Sequence, residues 1–364
     1  MSVRPSGPTS TTTGPDGRVP EMNNQHTLYA ATAHDSRQLP EQSPQVRDHA
    51  GRLCIRLSWG NSQDVAPLTF IEDDSPAELR EEEQEERRNP GSRARKQEKF
   101  HNACDHMRYR CAKVSKWTNF WMFVWGLGKG FSLLGLGGLL VFQLPFAALT
   151  SETSAETISR IFALASWLLP APLICWLIGH IVVHRLPSHW IFTPSKGPLW
   201  ELNRQTGMVT VFARKPGQFK DQGANGDFIR PFHEFDAYVH VLPTRQGMPL
   251  YSLHLVHRYQ PVAIDFMPLI GRQSSDKNSL ALWDMWQNYM DISKPLPDIP
   301  VLEEFRHLDP TTAEHDRRTS RNPRHWRDMD DRTFKTAILA MQDRINQLDA
   351  LSRPNLMAQH VQYL

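Results

Sequence analysis

The side chains most capable of chemistry stand just ahead of the first apolar segment, where His101, Cys104, His106 and Cys111 form an H-x2-C-x-H-x4-C string of soft metal ligands. Zinc modules usually pair two close ligands with a second pair a dozen or more residues away. That second pair is missing, and a helix leading into the apolar segment accounts for these residues equally well, so no metal is expected. His254 and His257 are three apart on a stretch of strand character, which turns them to opposite faces and denies them a shared ion. Glu234, Asp236 and Asp265 are carboxylates of the same region with no partner for acid–base work, and no Ser-His-Asp, Cys-His or paired-acid arrangement emerges. The string GLGKGFS (126–132) looks like a phosphate-binding loop but lacks the required leading glycine. Arg317, Arg318, Arg321, Arg324 and Arg327, interleaved with His325 and Trp326, make a basic run that suits anionic headgroups, an acidic partner, or a solvated tail. Neither catalysis nor a cofactor is expected.

The elements around these residues are dominated by two apolar stretches, Phe131 to Leu149 and Ile161 to Val183. A helix rises about 1.5 Å per residue, so about 20 apolar residues cross a bilayer's hydrocarbon layer, and both stretches meet that length without an acidic residue. Arg108, Arg110, Lys113, Lys116 and Lys129 precede the first and Arg185 and Lys196 follow the second, while the connection carries Glu152 and Glu156 until Arg160. The excess of cations outside the hairpin predicts both termini in the cytoplasm and spans at about 130–149 and 161–183. The connection is short, and Thr153 with Glu156 has the spacing of a capping box for the second helix. The N-terminus MSVRPSGPTSTTTGPDGR has no apolar core resembling a signal peptide, so the first span is expected to direct insertion.

Trp117, Trp121 and Trp125 recur at one helical turn, a spacing suited to the headgroup zone, either as an interfacial segment or as an extension of the first span. An unpaired cation at mid-bilayer costs roughly 2.5–3.5 kcal/mol, so Lys129 is placed at the cytoplasmic edge with its amine reaching outward. Gly130, Gly135 and Gly138, with further glycines nearby, leave bare backbone for close helix contact, expected with the second span of the same chain before any homo-oligomer. Pro170 and Pro172 predict a kink in that span, and His180 and His184 lie near its cytoplasmic end without marking a transport path.

The rest is water-soluble in composition, with 27 prolines in 364 residues and 41 basic against 39 acidic side chains, a net +2 that argues against a general nucleic-acid binder. Four cysteines, Cys54, Cys104, Cys111 and Cys175, suit a reducing compartment better than a disulfide framework. Residues 1–100 are expected to be largely disordered, relieved by a short strand (Leu53, Ile55, Leu57, Trp59) and a charged helix over Pro76 to Arg88. Residues 101–189 form the approach and the hairpin. Residues 190–293 carry alternating patterns over Leu199–Asn203, Met208–Arg214, Phe235–Leu242, Leu250–Arg258 and Val262–Met267, which predict an antiparallel meander with turns at Arg204–Gly207 and Arg245–Gly247 and a mobile loop at Gly217–Asp227. A helix from Ser275 to Met290, apolar on one side, is expected to cap it. Residues 294–364 are a linker and a final helix near Asp328–Leu351, whose Phe334, Ile338, Met341, Ile345, Leu348 and Leu351 form a seam for the chain's own body or a partner helix. The expected class is an α+β membrane protein with a pleckstrin-homology-like cytoplasmic domain, by analogy of strand and helix order.

WELNRQTGMVTVFARK (Trp200–Lys215), PFHEFDAYVHVL (Pro231–Leu242) and SLALWDMWQNYM (Ser279–Met290), behind a two-span hairpin, resemble a family of proteobacterial inner-membrane proteins with a cytoplasmic domain of unknown function, often encoded near type VI secretion genes. The likeness covers roughly residues 115 to 300, and its motifs are structural, so it carries over no functional residues. The short outer connection, the cytoplasmic meander and the lack of a catalytic set, beside that resemblance, predict a non-enzymatic protein in the bacterial inner membrane that contacts the lipid bilayer and binds a protein on the cytoplasmic side, as an accessory or immunity factor. A secreted effector that permeabilises membranes with the hairpin is the alternative. A domain that binds or modifies lipid headgroups, through His233, Glu234 and His254, is the third reading.

Overall fold

The computed structural model describes residues 28–51, 54–150, 153–243, 247–349 and 352–364. It is a mixed α+β structure with two antiparallel sheets. In chain order come β1 (Cys54–Arg56), α1 (Thr69–Glu72), α2 (Pro76–Arg88), α3 (Ser92–Lys99), β2 (Ala103–Cys104), β3 (Arg108–Val114), α4 (Lys116–Thr150), α5 (Ser154–Leu168), α6 (Pro170–Arg185) and α7 (Ser188–Ile191). There follow β4 (Pro194–Asn203), β5 (Met208–Val211), β6 (Phe228–Pro231), β7 (Phe235–Pro243), β8 (Pro249–His257), β9 (Ala263–Asp265), α8 (Met267–Ile270), α9 (Lys277–Met290), α10 (Pro310–Thr319) and α11 (Asp331–Asn346).

The strands sort into sheets of order β1-β7-β8-β9 and β2-β3-β4-β5-β6, not into a single meander. Alternation in the sequence locates most strands but cannot assign their neighbours, because β3 pairs with β4 across the whole helical insertion α4–α7 (Arg110 opposite Glu201, Val114 opposite Pro194). The approach to α4 is thus a hairpin, Cys104 opposite Tyr109, where a helix was expected. The alternating run forms the expected short strand, and β1 adds an edge to β7, Ile55 opposite Val239, a pairing that alternation alone does not predict; Leu53 lies outside the described residues. In the Arg204–Gly207 turn between β4 and β5, Gly207 has φ +69°, and a Cβ there would come within 2.4 Å of the Thr32 carbonyl oxygen. The proposed Arg245–Gly247 turn runs through residues outside the description. Gly217–Asp227 holds a short 3-10 turn (Lys220–Gln222) and buries Phe219 against Phe228, so it is tied to the body and not a free loop.

α9 is the centre of the body. Every residue from Ser279 to Met290 is buried, its polar side included, which corrects the expectation of a cap with one wet face. Asp284 takes two hydrogen bonds from Arg353 at 2.7 Å and one from the Gln63 amide, while Gln287 accepts from the Gly60 amide and Asn288 from Ser62. Segments from both ends of the chain therefore satisfy the polar groups that α9 takes out of water. The described residues from 28 to 100 are correspondingly built into the body: Leu57, Trp59, Val65, Ile71 and Leu79 join the same core as Trp200, Phe235 and Trp286. The expectation of disorder for residues 1–27 lies outside the described residues. α2 has the predicted bounds, opened by a Ser75–Glu78 capping box with Pro76 behind it. α11 is shorter than expected, with Asp330 as its N-cap, and it docks Phe334, Met341, Ile345 and the following Leu348 on the chain's own core beside α9. Leu351 lies outside the described residues.

Two buried guanidinium groups tie the termini down. Arg204 bonds both Asp309 oxygens at 3.0 and 3.1 Å and donates to the carbonyls of Tyr289, Asp291 and Lys294, closing the C-terminal end of α9. Tyr29 completes this cluster with a short bond to Asp309. Burial alone would push the Asp309 carboxyl up, but Arg204 and the Thr312 and Tyr29 hydroxyls hold it below the usual carboxylate range. Arg258 clasps Asp236 at 2.7 and 3.0 Å, and the same carboxylate accepts from Trp59 and Tyr363.

Candidate membrane-anchoring helices and their junction with the body

α4 is one continuous helix of 35 residues, roughly 52 Å long at 1.5 Å per residue. Its Lys116–Gln143 portion is long and apolar enough to cross a membrane. α5 and α6 pass the same test only if taken together across a 53° bend. Pro170 supplies the cause of the bend, since it has no N–H to continue the ladder after Leu169. Thr153 and Glu156 form the expected capping box at the start of α5, while residues 151 and 152 of the connection lie outside the described residues. The helices turn apolar side chains outward: Leu134, Phe142, Phe162 and Trp167 are 73, 74, 71 and 92% exposed, a surface that water disfavours.

α4 and α6 pack antiparallel through a reciprocal contact that the sequence did not single out. A Cβ on Gly128 would lie 2.3 Å from the Trp176 amide nitrogen, and one on Gly179 would lie 2.7 Å from the Trp125 Cα. Each helix thus offers a Trp-x2-Gly unit, glycine against the other's tryptophan backbone; the repeated W-x-x-G was the available signal. Among the predicted packing glycines, Gly135 meets Leu169 and Leu168, whereas Gly130 and Gly138 have nothing within 4 Å of a built Cβ. Helical phase explains the difference, because only one side of α4 faces α6.

Trp117, Trp121 and Trp125 lie in the first turns of α4. Trp117 is half-exposed, packs with Phe120 and Trp121, and donates its indole N–H to the Trp190 carbonyl at 3.2 Å. Lys129 sits 5.4 Å from the Trp125 ring centre, and the opposite-helix His184 meets the same ring. Below them the two chain crossings are fastened together. Thr118 donates to the Ile191 carbonyl at 2.6 Å and accepts from the Thr193 amide at 3.2 Å, and the Ser115 amide donates to the Thr193 carbonyl. β3 runs into α4 through Ser115 alone, and α6 returns to β4 through the short segment 186–193 that holds α7, so adjacent strands of one sheet carry both helices.

The chemistry-bearing residues named from the sequence are distributed through the body. Cys104 and Cys111 stand in different strands, and burial pushes both thiols up, Cys111 to about 11, while His106 stacks on Phe305. Among the described residues no three His, Cys, Asp or Glu side chains are placed to hold a metal. His257 is buried, 3.0 Å from Glu234, and His254 meets His240 and Asp265 instead, so the two histidines have separate surroundings as their spacing required. Burial lowers His233 and His254. Asp236 is consumed by Arg258. Three of the five arginines of the basic run are tied to the body and not part of a solvated tail: Arg321 chelates Asp298, Arg324 reaches Glu83, and Arg327 reaches Glu304, while Arg317 and Arg318 stay exposed. A charge run reveals its sign but not its partners, and here the partners sit on α2 and on the 3-10 stretch Pro300–Leu308 and its approach.

No protein-family model, curated protein or solved structure matches the chain.

Proposed function

We propose that the chain is a non-enzymatic bacterial inner-membrane protein, with α4 and the bent α5–α6 pair as a two-span hairpin and both termini in the cytoplasm, whose body binds a protein partner. The observation that carries this reading is the outward apolar surface of α4 to α6 on a pair held together by Gly128 and Gly179 and rooted in adjacent strands. The positions of Lys113, Lys116, Arg185 and Lys196 at the base of the helices support the orientation. The body is read as a variant of the pleckstrin-homology-like order, supported by β4–β9 preceding the long helix α9. By its resemblance to two-span proteins encoded near type VI secretion genes, its role is that of an accessory or immunity factor.

Topology is tested by cysteine labelling or reporter fusions at both ends and near residue 152 in intact cells and spheroplasts. Both ends should be shielded and the connection accessible; digestion of the body by external protease would reject the arrangement. The immunity role predicts that co-expression with a suspected cognate toxin rescues growth and that the two co-purify through residues 190–293, and failure of both removes it.

A further inference from the structure

A cleft of about 690 Å³ opens beside the root of α4. Three elements and one loop bring four cations to it: Lys113 at the end of β3, Lys116 at the first position of α4, Lys196 on β4 and Arg214 just past β5. None of the four is paired with a carboxylate among the described residues, in contrast to Arg321, Arg324 and Arg327 of the C-terminal run. Asp227 is the one acidic side chain on the rim, and it already accepts the Ala213 amide at 2.8 Å, so the cleft keeps a strong positive excess. Phe212 gives it an apolar wall. Its height follows from taking Lys116–Gln143 as the first span in place of 130–149, with Lys129 then inside it against the Trp125 ring: Lys116 is followed directly by the exposed Trp117 and Phe120 of the apolar helix.

We propose that this cleft binds the phosphate of an anionic phospholipid headgroup. The inference rests on the reading that α4 to α6 lie in a bilayer, because that reading brings the cleft to headgroup level. Four unpaired cations on separate elements at one rim suit a compact, multiply oxygenated anion, with the glycerol and upper acyl carbons lying toward Phe212 and the base of α4. A basic side chain near an anionic membrane surface is worth about a fivefold change in binding, so the four together should discriminate strongly between anionic and zwitterionic lipid.

The test uses the full chain in a non-ionic detergent, titrated with dioleoyl phosphatidylglycerol, dioleoyl phosphatidylcholine or inorganic phosphate and read by native mass spectrometry. Phosphatidylglycerol should be retained well above phosphatidylcholine, with about fivefold weaker retention for each of K113Q, K116Q, K196Q and R214Q, and no change for R318Q. Equal retention of the two lipids, or undiminished retention by the quadruple variant, would overturn the proposal. So would millimolar phosphate displacing the lipid completely while the lipid shows no preference of its own, an outcome that makes the cleft a site for a soluble phosphate. Unchanged thermal unfolding keeps misfolding from imitating the loss. Carbonate resistance of the wild type in phosphatidylcholine vesicles is scored separately: if it fails, the anchoring reading fails, whatever the cleft binds in detergent.

Discussion

Replacing Arg204 by methionine keeps most of its volume and removes its charge at a site with no access to water. The Asp309 carboxylate is then left buried without its countercharge, a loss of about 3–5 kcal/mol when one partner of such a pair is removed. The carbonyls of Tyr289, Asp291 and Lys294 also lose a donor, and an orphaned buried acceptor costs roughly 1–3 kcal/mol before the surroundings relax. A net loss of at least about 4 kcal/mol follows. At about 2–4 °C per kcal/mol, the transition of Arg204→Met should fall by on the order of 10 °C, followed by tryptophan fluorescence of the full chain in detergent. The double variant Arg204→Met/Asp309→Asn removes the stranded charge while retaining an N-cap acceptor for the Thr312 amide, and should recover about half of the loss. Arg318→Met, on an exposed arginine of the same stretch of sequence, should change stability by less than about 0.5 kcal/mol. A fall below about 3 °C for the single variant, or a double variant no better than the single, would show that Arg204 does not close the end of α9 as argued.

His34 is buried against Trp59 and Phe232, and burial lowers its pKa to about 4 from 6.5, outweighing the opposing pull of Asp291. The unfolded chain therefore binds the extra proton between those values, so stability should decline by about 3 kcal/mol as pH falls from 6.5 to 4. His34→Phe should flatten that limb in urea titrations at stepped pH, and an unchanged slope would contradict the assignment. Asp74 behaves oppositely: burial, with Glu82 nearby, raises it to about 6 from 3.8, so its charged form costs stability above that range. Asp74→Asn should stabilise the protein at pH 7 by about 1–2 kcal/mol, allowing for partial solvent screening, and the gain should vanish below pH 3.8. In α4, Gly128→Ala drives a methyl into the Trp176 backbone and should loosen the helix pair, read as lost crosslinking between cysteines placed on α4 and α6; Gly130→Ala, with open space around it, should crosslink as the wild type does.

What could be read from the chain was local. The Ser75–Glu78 and Thr153–Glu156 capping boxes, the alternation along β7 and β8 and the bend at Pro170 are written in residues within a few positions of one another, and each was legible. The misread features are long-range. His101 to Cys111 carry no sign that β3 will find β4 beyond a helical insertion of some eighty residues, and Asp284, Gln287 and Asn288 look solvent-facing because the groups that satisfy them stand more than two hundred residues away in sequence or near the C-terminus. The glycines of α4 show the same limit on a smaller scale. Composition marks the helix as able to make close contact, but the partner helix decides which glycines are used.

The hydrogen bonds that join Ser115 and Thr118 to Ile191 and Thr193 clip the outgoing and returning chain together at the helix roots. Two adjoining strands of one sheet share the load, so a tug or a twist on the globular half passes directly into α4 and, by way of α7, into α6. The next contacts along that route are the close approaches of Gly179 to Trp125 and of Gly128 to Trp176.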